Sequence, residues 1–140
     1  MSFFYCILYK QIVICLYMVN DGGGNDVLQT TIEMEKASII LKLLGDKTRL
    51  TMMKLIDNQA CCVCEFVEIF QVSQPSISQH LRKLRDLGLV QEERKGQWIF
   101  YSVDKNSEYY SFIKPILDQL PSQDYKLKEL EEKGTRISCC

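Results

Sequence analysis

A chain of 140 residues has room for one domain around one hydrophobic core. Its 46% apolar and 25% charged composition is ordinary for a globular protein, and 17 Lys and Arg against 18 Asp and Glu leave a formal net charge of −1. No whole-chain basic field marks a nucleic-acid partner, and the one histidine, His80, excludes zinc sites built from several imidazoles and catalysis that needs a second histidine.

Residues 1–33 read as an N-terminal extension and linker. Phe3 to Val19 is an apolar run broken by Lys10 and Gln11, too short and interrupted for a membrane span. It lacks the early positive charge and small-residue cleavage site of a signal peptide. Asn20 to Asp26, with three consecutive glycines, has linker composition. Two readings stand: a thiol-bearing arm that brings Cys6 and Cys15 over the core, or a native start further downstream.

From Met34 the pattern becomes regular. Ile39, Ile40, Leu43 and Leu44 sit at helical spacing ahead of Gly45. Asp46 suits the cap of a second helix that carries Leu50, Met53 and Ile56 on one face, and Asn58-Gln59 is a short break. Val63, Phe66, Val67 and Phe70 then form the buried stripe of a short third helix. After a turn at Gln71–Gln74, Pro75 fits the first turn of a fourth helix, which buries Ile77, Leu81 and Leu84 and stops at Gly88.

Two short helices joined by a tight turn, the second with an outward polar and basic face, form a helix-turn-helix pattern. The runs Leu89–Arg94 and Gln97–Val103 predict a β-hairpin turning at Lys95-Gly96, placed where a wing follows a recognition helix. The expected fold is therefore mainly α with a small β-hairpin, a winged helix-turn-helix over residues 34–120 with its dimerisation helices. Residues 73–105 hold six Lys and Arg against four Asp and Glu, a local excess that a dimer doubles. The expected base-reading residues are Gln74, Ser76, Ser78, Gln79 and Lys83, since early residues of such a helix reach base edges. His80 is either a DNA contact or a helix-packing residue. Arg94, Lys95 and Gln97 on the wing are expected to meet the DNA backbone or minor groove.

Tyr109, Phe112, Ile113, Ile116, Leu117 and Leu120 predict a further helix interrupted by Pro115. Its apolar face predicts pairing with a second copy across a two-fold axis; the alternative is that it and the next helix fold back on their own subunit. Residues 121–140 are expected to hold a last helix, capped by Ser122 and ended by Gly134, then a Cys139-Cys140 tail. Seven cysteines at 6, 15, 61, 62, 64, 139 and 140 are odd in number and clustered, which points to reduced thiols in the cytoplasm rather than a disulfide framework. No nucleotide-binding loop appears, and the histidine lies on the recognition helix, so no enzyme activity and no membrane partner are expected.

The run Cys62-Val63-Cys64-Glu65-Phe66, followed by Gln71-Val72-Ser73-Gln74-Pro75-Ser76-Ile77-Ser78-Gln79-His80-Leu81-Arg82-Lys83-Leu84 and by the wing Arg94-Lys95-Gly96-Gln97-Trp98-Ile99-Phe100-Tyr101-Ser102, resembles the ArsR/SmtB family of metal-responsive repressors. The likeness covers about residues 36–120 and is nearest to the arsenite-responsive branch. It implies a homodimer that sits on double-stranded operator DNA, blocks transcription and leaves when arsenite or antimonite binds as inducer, with no permanently bound cofactor. The chain departs from the family pattern at Val67, where arsenite sites often have a further cysteine, and at Cys61, where a leucine is usual. The histidine-containing zinc site of some members has no counterpart, because His80 stands alone.

Soft thiolate sulfur suits a soft acceptor such as arsenite. Cys62 and Cys64, two residues apart, diverge on a regular helix and converge only where the chain is still extended or frayed. The expected switch is that ligation bends the start of the third helix, whose N-terminus would also lower the thiol pKa. The third ligand is open between Cys61, Cys139 and Cys140. A cadmium- or lead-type sensor, or a redox- or persulfide-responsive repressor, would use the same thiols.

Overall fold

Asp46 sets the junction of the first two helices: its carboxylate accepts a hydrogen bond from the Arg49 amide at 3.0 Å, and its extended backbone begins a new helix. The computed structural model describes residues 31–136. In chain order these form α1 (Met34–Leu44), α2 (Lys47–Asn58), β1 (Cys61–Cys62), α3 (Val63–Phe70), α4 (Gln74–Asp86), β2 (Val90–Lys95), β3 (Trp98–Val103), α5 (Tyr110–Asp118) and α6 (Asp124–Glu132). The N-terminal extension through Thr30, with Cys6 and Cys15, and the tail cysteines Cys139 and Cys140 lie outside the described residues. Among the described residues no helix is long and apolar enough to cross a membrane.

The apolar stripes meet in one cluster. Ile40 and Leu44 of α1, Met52, Leu55 and Ile56 of α2, Phe66 of α3, and Ile77, Leu81 and Leu84 of α4 are all buried there. Full burial of each such side chain contributes about 1.5–3 kcal/mol, so the spacing of these residues decides which helix faces turn inward. Helices α3 and α4 are joined through Gln71, which takes the left-handed conformation at φ 52° and ends α3 by donating its amide to the Val67 carbonyl at 2.9 Å. Helix α4 begins with Pro75 in its first turn and ends at Gly88, whose φ of 68° reverses the chain into β2.

The sheet differs from expectation in having three strands. β2 and β3 pair antiparallel from Val90↔Val103 to Lys95↔Trp98 as the predicted hairpin, turning at Gly96, where φ is 61°. β1 adds a third strand on the other side of β3, with Cys61 opposite Tyr101 and Cys62 opposite Phe100. Two residues are too few to show alternation, and their partners lie far along the chain, so nothing local announces this strand.

The C-terminal helices also differ from expectation. The helix runs on through Pro115, and its stripe is divided: Ile113 and Leu117 close the chain's own core, while Phe112, Ile116 and Leu120 remain half-buried. Lys114 reaches Asp57 of α2 at 2.9 Å, and Lys54 donates to the Leu117 carbonyl at 2.8 Å. Helix α6 buries Leu127 and Leu130 and packs on α3; Gln123 stands in the cap position, and the Ser122 hydroxyl ahead of it accepts the Asp124 amide at 3.2 Å. Exposed apolar side chains include Met34, Ile39 and Leu41 on α1.

Candidate functional site

Two sets of residues meet the requirements of a site, one at the entrance of α3 and one on the outer face of α4 and the hairpin. At the first, Cys62 is the residue before the helix, with extended backbone angles of φ −92° and ψ 166°, while Cys64 already lies within the first turn. That break in helical geometry lets the two sulfurs approach to 3.5 Å. The convergence that the sequence reading required is thus met without bending the helix, because the extended residue belongs to β1.

Cys62 is fully buried and Cys64 is exposed, so the pair opens to solvent on one side. Burial pushes the Cys62 thiol up to about 12, helped by the hydrogen-bonded Cys64 thiol and the charge of Glu65 and opposed by the local backbone hydrogen bond. The expectation of a lowered thiol pKa at this helix start is therefore corrected for Cys62: loss of water outweighs the helix field.

Cys61 goes elsewhere. Successive strand residues point to opposite faces, and Cys61 joins the hydrophobic cluster with its sulfur 3.8 Å from the Gln59 carbonyl oxygen. Its Cys-x-x-Cys spacing with Cys64 does not unite that pair, since one thiol faces the core and the other the solvent. Among the described residues, no group of three or more His, Cys, Asp or Glu is arranged to hold a metal ion. The centre described is a two-thiol centre.

Glu65 is a functional residue that sequence reasoning passed over. Its buried carboxylate accepts a hydrogen bond from the Cys62 amide at 2.7 Å, and the Cys62 sulfur faces the amide of Glu65 in return. This is a capping box with Cys in the place of Ser or Thr, and Cys-x-x-Glu ahead of an apolar stripe was its visible signal. The other Glu65 oxygen lies 3.7 Å from Nε of Arg136, whose guanidinium also meets Gln59 and Glu131.

On the second surface Gln74, Ser78, Gln79 and Lys83 are exposed along α4, with Ser76 half-buried among them. His80 is half-buried, its Nδ1 3.9 Å from the Asp46 carboxylate and without a hydrogen-bond partner among the described residues. The hydrogen bond from the Arg49 amide, helped by the nearby Arg49 guanidinium, holds the Asp46 carboxyl below its usual range. On the hairpin, Arg94, Lys95 and Gln97 are exposed; Arg94 donates to the Gly96 carbonyl at 3.2 Å, and Lys95 lies over Phe100 at 5.8 Å. Arg85 binds Glu92 at 3.0 Å, fastening the end of α4 to β2. The helix and hairpin thus present one polar, partly cationic surface, on which Arg82 and Arg85 of α4 both pair with Asp86.

Residues 46–92 match the family described as "Bacterial regulatory protein, arsR family". The chain is similar to the arsenic resistance transcriptional regulator ArsR1 of Pseudomonas putida, at 45% identity over 73% of this chain and 85% of that protein. It is also similar to the arsenical resistance operon repressor of Staphylococcus xylosus, at 34% identity over 64% of this chain and 85% of that one. Among solved structures, the transcriptional regulator HlyU of Vibrio vulnificus superposes with a TM-score of 0.53 at 31% identity, covering 62% of this chain and 90% of that one.

Proposed function

The chain belongs to the arsR family of bacterial regulatory proteins, winged helix-turn-helix regulators of transcription, and we propose that it is a cytoplasmic, homodimeric repressor released from operator DNA by arsenite or antimonite. The observation that carries this reading is the sulfur pair of Cys62 and Cys64, 3.5 Å apart at the foot of the helix that supports α4. One soft atom about 2.3 Å from each sulfur, the usual metal–thiolate distance, spans that gap with little movement.

The raised Cys62 thiol favours a metalloid over a divalent cation. When As(OH)3 meets two thiols, two As–O bonds and two S–H bonds break and two As–S bonds form. Each departing hydroxide takes a thiol proton and leaves as water. The product is neutral and no oxidant is needed, so a thiol protonated at neutral pH is no obstacle. Cadmium or lead would bind the sulfurs as thiolates and release both thiol protons to solvent, which the raised Cys62 thiol opposes. Oxidants and persulfide donors react with thiolate, which burial suppresses at Cys62.

On the DNA side, Gln74, Ser76, Ser78, Gln79 and Lys83 read base edges, and Arg94, Lys95 and Gln97 meet the backbone or minor groove. His80, between α4 and Asp46, is either a DNA contact or a helix-packing residue. Two copies joined through α1 and α5 would place two recognition helices about 34 Å apart, matching successive major grooves. The exposed Ile39 and Leu41 and the half-buried Ile116 supply an apolar face for that pairing.

The test is a gel shift on the operator, titrated with arsenite, antimonite, cadmium and zinc under reducing conditions. Arsenite should weaken DNA binding at least about 100-fold, equivalent to about 2.7 kcal/mol of coupling. Cys62→Ser and Cys64→Ser should each still bind DNA and ignore arsenite. Release by arsenite from the doubly substituted protein, or release only by oxidant, would overturn the assignment.

A further inference from the structure

The end of α2 carries an acid where an acid is disfavoured. Asp57 is the penultimate residue of that helix, at the end where the backbone presents its partial negative charge, and its side chain is only 2% exposed. Lys114 of α5 binds one carboxylate oxygen, Oδ2, at 2.9 Å. The other, Oδ1, is closed off from water and has no hydrogen-bond partner among the described residues. A buried carboxylate oxygen left unpaired is costly, so this is an acceptor that the fold does not itself serve.

Asp57 stands in the wall of a cleft of about 370 Å³, between the end of α2, the base of the β2–β3 hairpin and the turn that follows β3. That volume falls in the range of small-molecule sites. The wall also holds Gln59 just ahead of β1, Gln91 of β2, Ser102 of β3, and Lys105 and Asn106 beyond it. Carboxamides and a hydroxyl each donate and accept, which suits a ligand whose own groups do the same. Gln91 and Ser102 are already aligned by their mutual hydrogen bond at 3.2 Å, across the two strands of the hairpin. With Asp57 matched by Lys114, the charge left on the wall is the exposed ammonium of Lys105. Neither Cys62, Cys64 nor Glu65 lines the cleft.

We propose that this cleft is a second ligand site, separate from the thiol pair, for a small polyhydroxylated anion of the sugar-acid or sugar-phosphate kind. Ligand hydroxyls donate to Asp57 Oδ1 and bond the carboxamides of Gln59, Gln91 and Asn106, and the anionic end lies at Lys105. Oδ1 is shielded from water, so the ligand enters as the exposed side chains of the wall turn aside. No covalent step is involved. The site stands or falls independently of the arsenite reading, because its binding is measured without arsenic and without DNA.

Titration calorimetry of the full chain with gluconate, glucose 6-phosphate, glucose, acetate and inorganic phosphate separates the two halves of the recognition. Gluconate, glucose 6-phosphate or both should bind once per chain with a dissociation constant below about 1 mM. Which of the two binds tells a carboxylate end from a phosphate end. Glucose lacks the charge, and acetate and phosphate lack the hydroxyl chain, so each should bind at least about tenfold more weakly. Lys105→Gln, a change at an exposed residue, should remove the preference for the sugar anion over glucose. Asp57→Asn should weaken the sugar anion about tenfold with acetate unchanged. Because that change also loosens Lys114, Ser102→Ala gives a second measure that leaves the ion pair intact, with a smaller loss in the same direction. Binding of neither sugar anion, acetate or phosphate binding as tightly as the sugar anions, or affinities unchanged by Lys105→Gln overturns the site.

Discussion

Helices α3 and α4 lie side by side and begin in opposite ways. At α3 the first-turn amides are served from within: Glu65 takes the Cys62 amide, the Cys62 sulfur faces the Glu65 amide, and Arg136 covers the carboxylate. At α4 the residue before the helix, Ser73, makes no side-chain capping bond, Pro75 removes one donor from the first turn, and the residues from Gln71 to Pro75 are exposed. A helix start closed on itself can be altered only by something that enters the fold. A helix start left open has its donors and its partial positive charge available to a phosphate arriving from outside. On the function proposed above, the two helix starts of one helix-turn-helix serve different partners, an effector at α3 and DNA at α4.

The contrast breaks most readily at Glu65. Glu65→Ala strips the cap from Cys62 and leaves Arg136 without its partner. It should cost about 2–3 kcal/mol in urea unfolding, low in the range for breaking a buried pair because Arg136 keeps 21% of its side-chain exposure. A loss under about 0.5 kcal/mol would show that the closed start does not stabilise the fold. Gln79→Ala should cost about 1–3 kcal/mol in binding to the operator and leave the unfolding midpoint unchanged. Equal weakening on random DNA would remove Gln79 from the base-reading face.

Asp46 tests a third helix start. Asp46→Ala should cost about 1 kcal/mol at neutral pH, the usual worth of such a cap. The folded state holds this carboxyl below its usual range, so its contribution is present above the unfolded value, near 3.9, and fades as the pH falls through the lower folded value. Unfolding curves of the native chain and Asp46→Ala should therefore converge in acid, and a gap that persists at pH 2 would assign the effect to packing. The smallest effect belongs to Ser73→Ala, which should leave stability within about 0.5 kcal/mol because no capping bond is lost. A larger destabilisation would mean that the open start is closed in solution.

The sequence announced the open surface far better than the closed one. Pro75 and the spacing of Ile77, Leu81 and Leu84 define α4 within one stretch of chain, and the outward residues follow by subtraction. The hairpin is equally local. At α3 the stripe from Val63 to Phe70 is readable, yet what governs the thiols comes from far away: β3 pairs with Cys62 across 38 residues, and Arg136 reaches Glu65 across 71. Periodicity carries no information about such partners. The raised Cys62 thiol is illegible in the sequence for the same reason, since its burial depends on elements distant along the chain. For α5, spacing alone could not divide an apolar stripe between the chain's own core and an outer face.

The pairing of β1 with β3 has a mechanical side. Phe100, opposite Cys62, stands two residues from Trp98 at the hairpin turn, and β3 is the middle strand of the sheet. A displacement of the Cys62 backbone therefore has two outlets, one along α3 into α4 and one sideways through a strand ladder into the wing. On the function proposed above, the two arms that grip the nucleic acid hang from one pivot, so loosening that pivot relaxes both at once and leaves no half-attached grip.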